Sequence, residues 1–253
     1  MVRAALAASI SLSLSVAVGA AAVRPFPSLP SECARSDFAS GGAAVRAALC
    51  LPAGTARVPA AVVLHGCGGF DTLDHRLAVE LPRAGVATLY VDYFGPTPPP
   101  GTTGYCGVGA RGAFIVWEHV VVSAAAHLRR LPRVDPRRLA VVGWSLGGFL
   151  ALATSAEHRR LFQARVAFST GVPASAKVVA AHGTPATLLL SGGPRDAIPF
   201  SWTQHLYRLL RKAGVKVTLY DYGHGVHSWP GRQGTAGIAV AERFLRRVLA
   251  GPG

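Results

Sequence analysis

Residues 138–153 read RLAVVGWSLGGFLALA, and this stretch decides the fold. The apolar run 138–142 predicts a strand, and the run 148–153 predicts the first turns of a helix. Between them, GWSLG at 143–147 matches the G-x-S-x-G pattern of a tight strand–turn–helix unit that presents a serine nucleophile, here Ser145. A chain with 29 glycines can also produce the pattern by chance, so the surrounding sequence has to decide.

Strands and helices alternate on both sides of this stretch. Apolar β-branched runs predict strands at 58–64, 86–91, 139–142, 165–168, 186–190 and 215–220, and helical patterns predict helices at 74–84, 113–131, 148–158, 201–212 and 236–249. Such alternation predicts βαβ units and a mostly parallel sheet, the α/β class. The segment 172–182 is long enough for a small flap, and we expect no separate lid domain.

The N-terminal residues differ in character from the rest of the chain. Arg3 is followed by an uncharged Ala/Ser/Leu/Val stretch, and small residues at 18–22 fit a cleavage site. Residues 1–22 therefore read as a secretory leader that exports the protein to the periplasm or the extracellular space. An uncleaved membrane anchor is the alternative, since the stretch is about long enough to span a bilayer. Residues 23–253, half apolar in composition, are expected to form one domain.

Export bears on the four cysteines, Cys33, Cys50, Cys67 and Cys106. An even number in an oxidising compartment favours two disulfides over a metal site, and free buried thiols are the alternative. Three connectivities are possible. We favour Cys33 with Cys50, which flank an N-terminal strand or hairpin, and Cys67 with Cys106, which join two loops expected on one edge of the sheet.

The chain is strongly basic, with 26 Lys plus Arg against 12 Asp plus Glu and a formal net charge of +14. Many arginines come in pairs along the helices, as at 129–130, 137–138, 159–160 and 246–247. They are not interleaved with aromatic residues and match no nucleic-acid-binding motif, so no nucleic-acid partner is expected. A solvated basic surface remains, able to associate electrostatically with an anionic cell envelope.

A nucleophilic serine needs a base and an acid that orients it, and in this chain order the acid precedes the histidine. Of the carboxylates after Ser145, Glu157 and Glu242 fall on predicted helices and read as surface charges. Asp196 follows the predicted strand 186–190 in a turn-rich loop and is the expected acid, although a turn or capping role is also open to it. Asp221, at the end of the last strand, is the reserve candidate.

Two histidines compete for the role of the base. Both His224 and His227 lie in the loop after the last predicted strand, where this architecture places its base. The residues of this loop do not by themselves choose between the two.

The glycine-rich sequence HGCGG at 65–69 directly follows the predicted strand 58–64. Acyl transfer creates an oxyanion that backbone N–H groups must stabilise, and glycines allow a close approach of the backbone. The expected donors are the N–H groups of Leu146 and of Gly66 or Cys67. A tight turn without a catalytic role is the alternative.

Six segments together carry a family resemblance: HGCGG at 65–69, VDYFGP at 91–96, VDP at 134–136, GWSLGG at 143–148, GGPRD at 192–196 and HSW at 227–229. Between residues 60 and 249 the chain resembles the dienelactone hydrolase family of α/β-hydrolases, in its exported, serine-bearing branch. The resemblance implies an α/β-hydrolase fold with helices on both faces of the sheet and hydrolysis without a metal or organic cofactor. In that family an aromatic residue commonly follows the base by two positions, so Trp229 favours His227 over His224.

Two departures from the family pattern bear on the substrate. The best-known members have a cysteine at the position of Ser145, and a glutamate tied to activating it at the position of His65. The resemblance therefore implies a small-molecule carboxylic ester or lactone rather than dienelactone itself. Two other classes stay open: a secreted fold without turnover that serves as a binding module, and a basic envelope-associated protein.

Overall fold

The computed structural model describes residues 26–28, 33–99, 104–106, 111–173 and 183–250. The predicted leader, residues 1–22, lies outside the described residues, as does residue range 174–182 of the predicted flap. Within the described ranges, no helix has both the length and the apolar character that crossing a membrane requires.

The described residues form ten strands and five α-helices in an alternating order. The strands are β1 (Cys33–Arg35), β2 (Phe38–Ser40), β3 (Ala43–Val45), β4 (Ala47–Cys50), β5 (Val58–Leu64), β6 (Ala87–Val91), β7 (Val134–Trp144), β8 (Ala164–Phe168), β9 (Ala186–Ser191) and β10 (Val217–Asp221). The helices are α1 (Thr72–Glu80), α2 (Arg111–Arg130), α3 (Leu146–Glu157), α4 (Phe200–Lys212) and α5 (Gly231–Val248), and a 3-10 turn covers Leu81–Ala84.

Eight strands form one sheet in the order β1-β4-β6-β5-β7-β8-β9-β10. The six strands from β6 to β10 along this order are parallel to their neighbours, and β4 and β1 add an antiparallel edge. Strands β2 and β3 form a separate hairpin. The mostly parallel α/β sheet predicted from the sequence is therefore confirmed.

Helices cover both faces of the sheet because successive strand residues point to opposite sides. On β5, Val62 packs in the cluster that contains Trp117 of α2, whereas Val63 packs in the cluster that contains Leu245 of α5. Helices α2, α3 and α4 lie on one face, and α1 and α5 lie on the other. The continuous apolar runs of the sequence follow from this two-sided burial.

Some elements are longer than the sequence pattern predicts. Strand β7 begins at Val134 instead of 139 because Val134 pairs with Val58. A register shift between Val58 and Ala60 accommodates the residues between Val134 and Leu139. Helix α5 begins at Gly231 instead of 236, directly after Pro230. Its first turn is rich in glycine and polar residues, whose low helix propensity hid it from a pattern-based prediction.

Both predicted disulfides are present. Cys33–Cys50 joins β1 to β4 at directly paired positions, and Cys67–Cys106 joins the loop after β5 to the described segment 104–106. Two disulfides are typical of proteins that fold in an oxidising, extracytoplasmic environment.

The strand register brings the functional loops to one edge of the sheet. Leu64 at the end of β5 pairs with Gly143 of β7, and Phe168 at the end of β8 pairs with Trp144 of β7. We call the side on which the parallel strands end the carboxyl edge, and the side on which they begin the amino edge. Loops at the carboxyl edge of such sheets form ligand sites.

Candidate active site

Ser145 lies in a sharp turn between the last residue of β7 and the first residue of α3. Its backbone has φ 52° and ψ −118°, an unusual conformation for a residue with a side chain. The flanking glycines are required sterically: a Cβ at Gly143 would collide with the Gly147 carbonyl oxygen, and a Cβ at Gly147 would collide with the His65 carbonyl oxygen. The sequence spacing GWSLG thus reflects a real packing constraint.

A continuous hydrogen-bond chain runs from Ser145 to an acid. The Ser145 Oγ lies 2.9 Å from Nε2 of His227, and Nδ1 of His227 lies 2.7 Å from Oδ1 of Asp196. His227 follows β10 and Asp196 follows β9, so three strand ends contribute one residue each. This arrangement suits a serine whose proton is removed by a histidine that a carboxylate holds in one orientation.

The Asp196 carboxylate is buried and well supplied with donors. The backbone N–H groups of Gly192 and Ile198 donate to it at 2.9 and 3.1 Å, and the Ser169 hydroxyl donates to Oδ2. Burial by itself would raise the pKa of Asp196, but the hydrogen bonds and charge of His227 and the other donors outweigh it and hold the pKa below its usual value. The carboxylate therefore stays ionised at neutral pH.

Two residues that the sequence did not assign to the site, Ser169 and Trp229, help to hold the Asp196 carboxylate. Ser169, at the end of β8, has a positive φ of 49° and is buried. The indole Nε1 of Trp229 donates to its hydroxyl at 2.7 Å, which leaves the Ser169 proton to point at Asp196. In the sequence, Trp229 stands out only as the aromatic residue two positions after His227. A polar residue at a strand end of the carboxyl edge was the available signal for Ser169.

The glycine-rich loop after β5 lies against the turn that holds Ser145. Gly66 faces the Trp144 ring so closely that a Cβ would collide with it, and the indole Nε1 of Trp144 donates to the His227 carbonyl at 2.8 Å. Leu146 and Cys67, two of the expected oxyanion donors, are buried at this junction. The Ser145 turn, the histidine loop and the loop after β5 thus meet around Trp144.

The loop after β5 is fastened on its other side by the segment 104–106. The Tyr105 N–H donates to the Cys67 carbonyl at 2.7 Å, and Cys106 is bonded to Cys67. A Cβ at Gly104 would collide with the same carbonyl, so the two segments are in direct backbone contact. These contacts fix the backbone of Cys67, whose N–H is an expected oxyanion donor.

His65, at the position where the family resemblance leads one to expect a glutamate, is fully buried. Its ring stacks on Tyr93 with centroids 4.1 Å apart, and Nδ1 lies 2.9 Å from the Gly66 carbonyl. Burial lowers the pKa of His65 to about 4, so the ring is neutral at neutral pH. A neutral, stacked histidine fills this space without the charge that a glutamate would bring.

The two reserve candidates take no part in the hydrogen-bond chain. Asp221 is exposed and accepts the Gly223 N–H at 2.9 Å in its own turn. His224 is exposed, its ring packs on Tyr222 at 4.7 Å, and its carbonyl accepts a hydrogen bond from Arg195. Across the described residues, no group of three or more His, Cys, Asp or Glu side chains is arranged to hold a metal ion.

Comparison with known proteins gives a family for residues 45–249, which match the model of the dienelactone hydrolase family. Among curated proteins, a probable dipeptidyl-aminopeptidase B of Grosmannia clavigera is 36% identical over 91 residues, which is 34% of this chain and 9% of that relative. The match therefore spans only 9% of the relative's length.

Solved structures share the fold at low sequence identity. A dienelactone hydrolase-like promiscuous phosphotriesterase from metagenomic libraries is 16% identical, with TM-score 0.71 over 85% of this chain and 98% of that one. A dienelactone hydrolase of Anabaena variabilis is 19% identical, with TM-score 0.67 over 86% and 99%. A hyperthermophilic esterase of Pyrobaculum calidifontis is 16% identical, with TM-score 0.68 over 87% and 85%.

Proposed function

Because the chain belongs to the dienelactone hydrolase family and is thereby a hydrolase, we propose that it cleaves carboxylic esters or lactones through an acyl-enzyme on Ser145. The observation that supports this most is the hydrogen-bond chain from Ser145 through His227 to the buried Asp196. The peptidase relative matches over too short a stretch to argue for a peptide substrate.

In the proposed first step, neutral His227 takes the proton of Ser145 as Oγ attacks the carbonyl carbon of the ester. The N–H groups of Leu146 and of Gly66 or Cys67 stabilise the oxyanion of the tetrahedral intermediate. When the intermediate collapses, the bond to the leaving alcohol breaks and His227 gives its proton to that alcohol. Asp196, ionised throughout, stabilises the protonated histidine.

In the second step, His227 takes a proton from water, which attacks the acyl carbon. The intermediate then releases the carboxylic acid and returns the proton to Ser145. The scheme uses side chains and backbone of this chain alone and requires no cofactor.

The sharpest experiment is labelling with a fluorophosphonate probe, which reacts with activated serines. We expect labelling of the wild type and none of Ser145→Ala, with turnover of a short-chain ester reduced on the order of 10⁵-fold. Ser201→Ala, an exposed serine at the start of α4, is the matched control and should label normally. A folded wild type that does not label would favour the binding module without turnover.

The choice of base is tested by a second pair of variants. His227→Ala should abolish both labelling and turnover, whereas His224→Ala should leave both nearly unchanged because that ring lies outside the hydrogen-bond chain. If His224→Ala alone abolished turnover, our assignment of the base would be wrong. A panel of short- and long-chain esters, lactones and a dipeptide amide then defines the acyl and leaving groups.

We further propose that the protein is exported and that residues 1–22 are removed as a leader, which leaves one domain of residues 23–253. The two disulfides support export, since such bonds persist in oxidising compartments. Mass spectrometry of the protein recovered from the expressing cells tests this: a mature N-terminus near residue 23 is expected, and an intact leader would favour an N-terminal membrane anchor.

A further inference from the structure

The loops that connect the ends of helices to the starts of the parallel strands lie at the amino edge of the sheet. In a βα fold the helices run opposite to the parallel strands, so the ends of the helices and the starts of the strands lie on the same side. Contacts across this side are direct: the Arg57 guanidinium donates to the Pro132 carbonyl at 3.1 Å, and the Arg129 guanidinium donates to the Leu161 carbonyl at 2.8 Å. Residues far apart in the chain therefore form one surface.

This surface is strongly cationic. Among the described residues at the amino edge, Glu157 is the single exposed carboxylate, and the half-buried Asp135 is paired with Arg138 at 2.8 Å. The exposed cations define what we call the cationic face: Arg57, Arg83, Arg130, Arg137, Arg159, Arg160, Arg211, Lys212, Lys216, Arg246 and Arg247.

Favourable interaction with the C-terminal ends of helices explains the position of only some cations of the cationic face. A cation in the last turn of a helix is favourable because the C-terminal end carries partial negative charge, and α2, α4 and α5 each end on such residues. Arg57, Arg137 and Lys216 lie outside the last turns of helices. The helix dipole gives no reason for their position on the same face.

Two recesses open on the cationic face. One, of about 700 Å³, is lined by Arg129, Arg159 and Arg160 together with one carboxylate, Glu157. The other, of about 560 Å³, is lined by Arg211, Lys216 and Arg247 among others. Each has room for the headgroup of an anionic ligand. Most of the cations are arginines, whose planar guanidinium pairs well with phosphate.

We propose that the cationic face adsorbs on membranes rich in anionic phospholipids, with headgroup phosphates as its ligands. Within the described part of the chain, the exposed large hydrophobic residue is Ile115, in the first turn of α2 at the opposite edge. The face thus offers no aromatic platform for single-stranded nucleic acid and no apolar wedge for insertion. In the oxidising compartment that the disulfides indicate, a membrane rich in anionic phospholipids carries such phosphates at high surface density.

Adsorption by this face also sets the orientation of the molecule. Ser145 lies at the carboxyl edge, on the opposite side of the sheet from the cationic face. The site therefore points away from the membrane and stays open to esters in solution.

Cosedimentation with lipid vesicles tests the proposal. The wild type should bind vesicles of phosphatidylcholine with phosphatidylglycerol at about 0.01 M ionic strength and lose most of that binding at about 1 M, as exposed charges are screened. Vesicles of phosphatidylcholine alone should bind little, and strong binding to them would reveal insertion of the leader instead. The double variant Arg160→Glu/Arg247→Glu should weaken binding to the anionic vesicles by about tenfold or more.

The matched control separates position from net charge. Arg35→Glu/Arg232→Glu makes the same change of net charge at exposed residues near the carboxyl edge. Compared at about 0.15 M ionic strength, where the Debye length is about 8 Å, this pair should weaken binding by less than about twofold. Equal weakening by both pairs would overturn the proposal, as would a wild type that binds duplex DNA more tightly than anionic vesicles at equal phosphate concentration.

Orientation has a separate readout that rests on the proposed function. Vesicle-bound enzyme should turn over a water-soluble ester at the rate of the free enzyme, whereas adsorption by the carboxyl edge would inhibit it. Vesicle binding itself does not depend on hydrolysis, and Ser145→Ala should bind vesicles like the wild type. A failure of turnover is thus distinguishable from a failure of adsorption.

Discussion

The carboxyl and amino edges of the sheet differ in whether their polar residues are buried or exposed. At the carboxyl edge, Ser145, Asp196 and Ser169 are buried and joined by hydrogen bonds, because a buried polar group without a partner is costly. At the amino edge the arginines of the cationic face are exposed to solvent. Turnover, which depends on the carboxyl edge, should therefore respond to the loss of single hydrogen-bonding atoms. Vesicle binding, which depends on the amino edge, should respond to the total charge and to salt.

Apart from the nucleophile and the base, the largest expected effect is at the acid of the carboxyl edge. Asp196→Asn keeps the size of the side chain but removes the charge that stabilises a protonated His227, so kcat should fall about 10⁴-fold. Asp221→Asn, at the exposed reserve candidate, should change kcat little. Steady-state kinetics of the two variants measure this, and a larger loss from Asp221→Asn would make Asp221 the acid. Neither variant should alter vesicle binding.

The next effect concerns the support of that acid. Ser169→Ala removes one hydrogen bond to a buried carboxylate and also leaves the Trp229 indole without its acceptor. Since a hydrogen bond to a charged group contributes about 2 kcal/mol, we expect kcat to fall by up to about thirtyfold. KM should stay unchanged because Ser169 does not lie in the chain that touches substrate. A change confined to KM would contradict this role.

The two disulfides offer a matched pair of variants. Their sequence separations are 17 and 39, so each double Cys→Ser variant should lose stability by about 3 kcal/mol in thermal or denaturant unfolding. Only Cys67→Ser/Cys106→Ser should also lower kcat, by about fivefold, because it loosens the backbone of an expected oxyanion donor. Equal kcat values for this variant and Cys33→Ser/Cys50→Ser would show that segment 104–106 does not position that donor.

A further effect concerns pH and stability. Asp74, buried in the first turn of α1, accepts hydrogen bonds from the Tyr90 hydroxyl and the Asp71 N–H. Burial raises the pKa of Asp74 from 3.8 to about 7. Between these values the folded state holds a proton that the unfolded state has lost, so this group makes stability fall as pH rises.

Asp74→Asn should remove that contribution. The Tm of the variant relative to the wild type should rise between pH 4 and pH 7, and unfolding followed by circular dichroism at several pH values measures it. A Tm difference that is constant over this range would mean that Asp74 is ionised in the folded protein. The cationic face should respond to salt instead and show no such pH dependence, since arginines stay charged throughout.

Much of the fold was predictable because it rests on local signals. The parallel strands and the helices follow from apolar periodicity, and GWSLG at 143–147 fixed the turn that carries the serine. The starts of β7 and α5 were missed because long-range pairing to Val58 and the position of Pro230, rather than local propensity, decide them. The candidate acid Asp196 was identifiable from its order after Ser145 and its place after a strand. The same signals left His224 and His227 open, and the family resemblance carried by Trp229 favoured His227.

The sequence by itself determined the α/β class, the tight turn that carries Ser145 and the three residues that the hydrogen-bond chain joins. Only the tertiary structure decided which residues hydrogen-bond to these three and which residues lie together at the opposite, amino edge of the sheet. Ser169 reaches Asp196 across 27 residues and Trp229 across 60, and arginines from separate loops share the amino edge. The physical reason is that periodicity and chain order are local properties, whereas strand register determines which distant residues become neighbours.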